Sequence, residues 1–437
     1  MTFTGAAHCG HGAAATTRRR FLGWMGAGVA GAAGLPQLSG CGDAEAADTP
    51  VDPTQIVMDG HVHVTNRIYW EGIDPWQANV GGGGWDFARA RAGGVNCIIE
   101  NIGTYGYWNY DYTPKQSLRL LDTLLNYATA NADKMAIALT PADARRIIAS
   151  NRMAVFVGCE SGFDHEGDLL VLDALYKLGL RTVQFATQTG FNAFADSAAA
   201  PLQGGQAPVF YGGLNDNGRK LVAKMNDLGI LIDLTHGTPQ TMAQLIAASR
   251  APVVASHEVI KSVSGTTGIT DDLIQAIAAK GGLVGIHGTG ISKRYAQWAA
   301  ANPAIAAAEN SLITAMVGYQ PSFPRLPGDH GEYIARFDSE FQARWRALTT
   351  FREDPSAANF LPTADEWAEH VKYVIDLVGA DHVAIGLDIA PGRTSVLPDA
   401  THYTDLIAAL GRVTTADNIR KISGENYMRV FSQVQAT

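Results

Sequence analysis

Four histidines and two carboxylates stand at the ends of short apolar runs, and their types suit a site for divalent cations. Asp59-Gly60-His61-Val62-His63 closes the first run, where i, i+2 spacing sends both imidazoles to one side of an extended chain. Gly158-Cys159-Glu160-Ser161-Gly162 closes the third run and Asp233-Leu234-Thr235-His236-Gly237 the fifth. Ala255-Ser256-His257 closes the sixth and Gly386-Leu387-Asp388 the eighth. Neutral imidazole suits zinc, and a carboxylate can bridge two cations and offset their charge. Two ions ~3.5–4 Å apart could share a hydroxide, lower its pKa and polarise a substrate carbonyl. A lone histidine after a strand is more often a packed or surface residue. Recurrence over five run ends is what points to a binuclear centre.

His287, closing the seventh run in Gly285-Ile286-His287-Gly288, would face the same mouth and is a pocket-lining candidate. His165, His330, His370, His382 and His402 lack the pattern and read as helix or loop residues. None of Cys9, Cys41, Cys97 and Cys159 sits in a CxxC pair, so a metal must fall to histidine and carboxylate. Cys159 should point away from its neighbour Glu160 and serve packing.

The elements that would position these residues are eight strand candidates: Ile56–Asp59, Val95–Glu100, Met153–Gly158, Thr182–Phe185, Leu231–Leu234, Val253–Ser256, Leu283–Ile286 and Val383–Gly386. Most are continuously apolar, as strands buried on both faces should be. Helix starts lie between them: Thr140-Pro141 and Thr238-Pro239 place a cap before a proline, and Thr270-Asp271-Asp272 puts acids in a first turn. Eight β/α units predict an α/β fold, a closed (β/α)8 TIM barrel over residues 54–435, whose chemistry gathers at the carboxyl ends of its strands. An open doubly wound sheet is the rival, but no Gly-x-Gly-x-x-Gly follows an early run, and Gly81–Gly84 reads as a loop. Residues 288–362 form a long insertion between the seventh and eighth runs, expected to fold into helices. A lid over the mouth and a peripheral decoration are both open.

The chain has 437 residues, 33 Lys+Arg against 42 Asp+Glu, and 46% apolar residues. An acidic balance argues against nucleic-acid binding, and the apolar share allows a sizeable core. Residues 1–40 carry Arg18, Arg19 and Arg20 and no acid, which leaves 30 Lys+Arg against 42 Asp+Glu in the remainder. The uncharged run after Arg20 is rich in glycine, a poor anchor and a good export signal. Thr17-Arg18-Arg19-Arg20-Phe21-Leu22 resembles a twin-arginine signal, and Leu38-Ser39-Gly40-Cys41 resembles a lipoprotein box. The resemblance implies export, lipidation of Cys41 and attachment to the outer face of a bacterial membrane or residence in the periplasm. Residues 41–53 then read as a tether.

The arrangement resembles the metal-dependent amidohydrolase superfamily and, within it, the membrane dipeptidase (renal dipeptidase, peptidase family M19) group. The motifs that carry this are Gly158–Gly162, Leu175–Arg181, Asn192–Ser197, Asp233–His236, Ser256-His257, Asp381–Asp388 and Asn418–Phe431. By this resemblance Glu160 is the bridging carboxylate, His236 and His257 serve one zinc ion, and His61, His63 and Asp388 serve the other. Asp388 is also the implied proton shuttle, with metal-bound hydroxide attacking the amide of a dipeptide or related small amide. Homodimers are common among such barrels by the same resemblance.

Three positions depart from the family pattern. His63 stands where an aspartate is usual, which keeps metal binding and raises the site's charge by about one unit. Gln188 stands where a histidine contacts the substrate carbonyl, and glutamine donates a hydrogen bond but no positive charge. The stretch Gly265-Thr266-Thr267-Gly268 has no arginine for the substrate's terminal carboxylate; Lys261 or Arg393 could substitute as a point charge. The missing arginine favours an alternative, a sister amidohydrolase acting on a lactone, ester or cyclic amide. A non-catalytic metal-binding surface lipoprotein is the remaining reading.

Overall fold

Strands buried on both faces need helices on their outer side, and the computed structural model has that layering. It describes residues 55–77, 84–103, 112–160, 163–164, 166–186, 192–198, 209–265, 268–317, 330–353, 362–389 and 395–437. The expected signal and tether lie outside these residues, as do Cys41, Gln188 and Arg393.

Nine strands are present among the described residues: β1 (Met58–Val62), β2 (Cys97–Gly103), β3 (Met135–Ile137), β4 (Met153–Glu160), β5 (Leu180–Gln184), β6 (Leu231–Asp233), β7 (Val253–Glu258), β8 (Leu283–Ile286) and β9 (Val383–Ile385). Eight of them pair in parallel in the order β1-β2-β4-β5-β6-β7-β8-β9. The last reaches the first: the Asp388 amide donates to the His61 carbonyl at 3.2 Å and the Leu387 amide to Asp59 Oδ1 at 3.1 Å. The result is the expected (β/α)8 barrel, nearly closed. β3 is an addition that sequence reasoning missed. It lies along the first residues of β4 (Met135↔Met153), while β5 takes the last (Cys159↔Val183). Three residues, two of them half-buried, leave no run to recognise.

Alternate strand residues feed two apolar layers. Met58, Cys97, Ile99, Ala154, Phe156, Leu231, Val254, Leu283 and Ala384 fill the barrel interior, joined by Tyr427, Met428 and Phe431 of the helix Asn426–Gln435. Phe156 stacks on Phe431 with centroids 4.4 Å apart, so the closing helix plugs the interior below the polar mouth. The other layer lies between the strands and the outer helices and holds Ile98, Val155, Val157, Cys159, Ile232 and Val383. Two glycines allow β8 and β9 to approach β7 at the level of the site. A Cβ on Gly285 or Gly386 would lie 1.9 or 1.8 Å from the Ser256 carbonyl oxygen.

The expected caps are in place. Thr140 accepts from the Asp143 amide before a helix begun by Pro141, and Thr238 does the same from Thr241 before Pro239. Within the insertion lie the helices Tyr295–Ala301, Pro303–Val317 and His330–Glu353. The last of these packs on the helix Val64–Glu71, which begins directly after His63. Trp70 and Phe341 rings are 4.9 Å apart, and Trp345 Nε1 donates to Glu71 Oε1 at 2.6 Å. Its described part therefore buttresses the helix that follows His61 and His63. Among the described residues no helix is long and apolar enough to cross a membrane.

Candidate metal centre

Each of the six expected ligands lies at the carboxyl end of a barrel strand, and their polar atoms converge around one carboxylate. Glu160 Oε2 is 2.7 Å from His63 Nε2 and 3.6 Å from His61 Nε2. Glu160 Oε1 is 3.0 Å from His236 Nε2 and 3.9 Å from His257 Nε2. One carboxylate thus divides its two oxygens between two imidazole pairs. Within the pairs the Nε2 atoms are close, 3.0 Å for His61 and His63 and 3.3 Å for His236 and His257. Asp388 closes the ring from β9: Oδ1 lies 3.6 Å from His63 Nε2, and Oδ2 lies 3.9 Å from His257 Nε2 and 3.3 Å from His287 Nε2. His61, His63 and Asp388 form one group able to hold a cation, and His61, Glu160 and His257 another. Nitrogen and oxygen donors aimed at shared points are what a pair of borderline divalent ions needs, and the donor set fits zinc.

The backbone is bent to aim these groups. Register shifts interrupt β1 against β2 between Asp59 and Val62, and β7 against β8 between Ala255 and Glu258, which are the stretches that carry His61 and His257. The simple alternation expected for His61 and His63 is therefore modified: β1 ends at Val62, and His63 is the residue that caps the following helix. Among the described residues only three non-glycine positions have positive φ, and two are His236 (67°) and Asp388 (45°). A left-handed non-glycine residue costs about 1–3 kcal/mol and persists where its surroundings hold it.

Neighbouring groups fix the rings. His63 Nδ1 faces the Asn101 carbonyl at 2.8 Å, so it carries the proton and leaves the Nε2 lone pair free to bind metal. His61 Nδ1 is 3.1 Å from both Ser256 Oγ and the Asn101 amide group. Asp59, fully buried within β1, accepts from the amides of His61 and Leu387 and from the Tyr403 hydroxyl, which in turn accepts from Trp85 Nε1 at 2.7 Å. This strut joins the chain at His61 to the chain just before Asp388.

The charges are strongly coupled. Burial acts to raise the Glu160 carboxyl pKa, but the surrounding His63, His236 and His61 outweigh it and hold the group well below the ordinary range. Asp388 is likewise held low, its burial offset by His257, His287 and His61, so it is ionised and able to accept a proton. Burial would lower His63, yet Glu160 and Asp388 raise it to about 9. Without metal, a proton at His63 supplies part of the positive charge that the carboxylates require.

Beside the ligands lies a cavity of about 300 Å³ lined by His236, His257, His287, Glu258, Met242 and Leu273 among others. His287 is among the residues lining it. Among the described residues lining it there is no lysine or arginine. Lys261 is exposed at the start of the helix Lys261–Ser264 and is not part of the lining. His370 is a packed helix residue, with its ring between the Ile260 amide and the Ile291 carbonyl. Cys159 is buried in the outer apolar layer. The residues that sequence reasoning missed are Asp59, Asn101, Asp233 and Ser256. Three of them lie inside the motifs that name the ligands, but nothing in their spacing says that they face the ligands' far nitrogens or backbone.

The profile of the membrane dipeptidase family (peptidase family M19) matches residues 49–437. Dipeptidase verJ of Clonostachys rogersoniana is 24% identical over 325 residues, 74% of this chain and 66% of that protein. Dipeptidase tcpJ of Claviceps purpurea is 24% identical over 325 residues, 74% of this chain and 60% of that protein. The chain thus spans less than two thirds of the length of these two relatives. The crystal structure of the probable dipeptidase PvdM from Pseudomonas aeruginosa has 23% identity and a TM-score of 0.65, covering 88% of this chain and 96% of that one. A metallopeptidase from Rhodobacter sphaeroides, liganded with a phosphinate mimic of the dipeptide L-Ala-D-Ala, has 19% identity and a TM-score of 0.62, covering 87% and 99%. These structural likenesses show the shared barrel.

Proposed function

The chain belongs to the membrane dipeptidase family (peptidase family M19), and from that membership we propose that it is a binuclear zinc-dependent hydrolase cleaving a dipeptide or a related small amide. The observation that carries this reading is the division of Glu160 between two imidazole pairs, Oε2 toward His61 and His63, Oε1 toward His236 and His257. Two divalent ions held there supply Lewis acidity, lowering the pKa of water in the site and polarising the scissile carbonyl.

The protein's own groups do the rest. Asp388, ionised, takes the proton of the attacking water and returns it to the leaving amine. His287 holds it in place. The Thr289 amide donates to His287 Nδ1 at 2.8 Å, so the neutral ring carries its proton on Nε2, which donates to Asp388 Oδ2 at 3.3 Å. Oδ1 is left facing the His61 and His63 side, where the water must lie. Met242, Leu273 and Ile269 give the cavity beside these groups an apolar wall.

A second reading rests on the cavity itself. A dipeptide's terminal carboxylate would find no described lysine or arginine there, which favours a substrate lacking that carboxylate, such as a lactone, ester or cyclic amide. A hydrolysis panel of L,L and L,D dipeptides, N-acyl amino acids, lactones and cyclic amides with added zinc separates the two. Dipeptide turnover supports the first reading; turnover confined to substrates without a free carboxylate replaces it with the second. Export and lipid attachment at Cys41 complete the proposal, and labelled-lipid incorporation should vanish in Cys41→Ala.

A further inference from the structure

Beneath the ligand cluster, one hydroxyl touches rings from both imidazole pairs. Ser256 Oγ is 3.1 Å from His61 Nδ1 and 2.8 Å from His257 Nδ1, and it donates to Asp233 Oδ2 at 2.5 Å. A serine hydroxyl has one proton and two lone pairs. Asp233 takes the proton; its other oxygen, Oδ1, is engaged by the amides of Thr235 at 3.1 Å and Ser256 at 3.0 Å, which fixes the carboxylate in place. Both lone pairs of Ser256 Oγ then remain for the two rings, and each ring must bring its proton to Nδ1.

We infer that Ser256, oriented by Asp233, is a positioning residue that sets the tautomers of His61 and His257 together, leaving both Nε2 lone pairs to face metal. This rests on the binuclear reading given above and adds to it: the two imidazole pairs share a support as well as a bridging carboxylate. Ser256 is 3% exposed and Asp233 2%, so water does not compete for these contacts. The Asn101 side-chain amide also faces His61 Nδ1 at 3.1 Å. Its nitrogen there would favour the opposite tautomer, with the serine lone pair set against the ring's lone pair. A half-turn of the amide that brings its oxygen to Nδ1 removes this conflict but gives up the long 3.3 Å hydrogen bond that the amide nitrogen donates to the Ile99 carbonyl, and the short contact of the serine with Asp233 favours that exchange. His63 stands apart, because its Nδ1 proton goes to a backbone carbonyl that no side-chain substitution removes.

Two measurements test this. The first needs no variant: nitrogen-15 spectra of the metal-free full-length chain, labelled at histidine, distinguish Nδ1–H from Nε2–H rings. His61 and His257 should both be Nδ1–H; an Nε2–H ring at either position overturns the inference. The second is zinc titration against a competing chelator for the native protein, Ser256→Ala and Asp233→Asn. Loss of a group supporting ligand histidines weakens metal binding on the order of 10–100-fold, and here both binding steps should weaken in Ser256→Ala. Asp233→Asn, nearly isosteric, can donate to the serine and turn its proton toward a ring, so it should shift the tautomer spectrum in the same direction. Native-like affinities in both variants, or weakening of one step alone, contradict the shared support. A native protein that binds no zinc would instead sink the binuclear proposal itself.

Discussion

The ligand cluster and the cavity beside it are built from the ends of the same strands, yet they are constrained to very different degrees. His61, Glu160 and His257 are almost wholly buried, and side-chain or backbone partners fix the rings of His61, His63 and His257 from behind. The cavity is lined by apolar side chains, by Thr235 and Thr270, and by His236, His257, His287 and Glu258, without a lysine or arginine among its described residues. The sequence departures follow the same division. On the expected family pattern, His63 would exchange one metal-binding type for another, whereas the missing arginine and Gln188 would change groups that touch substrate. Cation chemistry tolerates few donor types and distances, so the cluster is held; recognition of the substrate's far end can change without disturbing it.

Substitutions can break this contrast. Replacing Glu160 with Gln should have the largest effect, because its oxygens serve both imidazole pairs. Metal content should fall below one ion per chain and turnover to background, measured by elemental analysis and hydrolysis on the same preparation. Asp388→Asn should lower kcat by ~10²–10⁴ while leaving most of the metal bound and KM little changed. Equal losses of metal and rate would show that Asp388 acts mainly as a ligand. His287→Gln should be milder. A hydrogen bond to a charged group is worth about 1.5–3 kcal/mol, which corresponds to a kcat loss of roughly 10–100-fold, with zinc affinity unchanged.

The smallest effect is on stability and belongs to the metal-free protein. Burial raises Glu258 to about 8. A carboxyl with a raised folded pKa takes up a proton on folding between its unfolded value of about 4.5 and its folded one. Stability therefore falls as pH rises through that window. Burial likewise raises Asp59 to about 6 and Glu100 to about 7, adding the same trend lower in the range. His63, raised to about 9 by Glu160 against the effect of burial, contributes stability that is full below about 6.5 and lost as pH rises through 9. Thermal melts of chelated protein should fall from pH 6.5 to 9, above the range where the lowered His257 and His370 act the other way, and Glu258→Gln should flatten the part between 6.5 and 8. Added zinc should stabilise more at pH 8 than at pH 6, because metal displaces the proton on His63.

The ligand types were legible because barrel strands are apolar and their ends are not; His61, Glu160, His236, His257 and Asp388 each interrupt or follow such a run. Strand positions were legible for the same reason, and the cap pairs Thr140-Pro141 and Thr238-Pro239 marked helix starts. β3 was not, since three residues carry no period. Nor was the shared support from Ser256, because the side chains that meet at His61 come from β1, β2 and β7, and only closure of the barrel brings them together. His287 was legible as a mouth residue, but its proton position depends on the Thr289 amide, a local turn that composition does not encode. The docking of the helix His330–Glu353 on Val64–Glu71 depends on Trp70 and Phe341, which are ordinary aromatic residues until the insertion folds back.

The central claim is that two ions, divided by Glu160, are needed together. The most direct measurement is hydrolysis by the chelated protein as zinc is restored stepwise, with bound metal counted at each step. Turnover that appears with the second equivalent and levels off at two per chain is the predicted result. Full turnover at one equivalent, or none at two across the whole substrate panel, would contradict it.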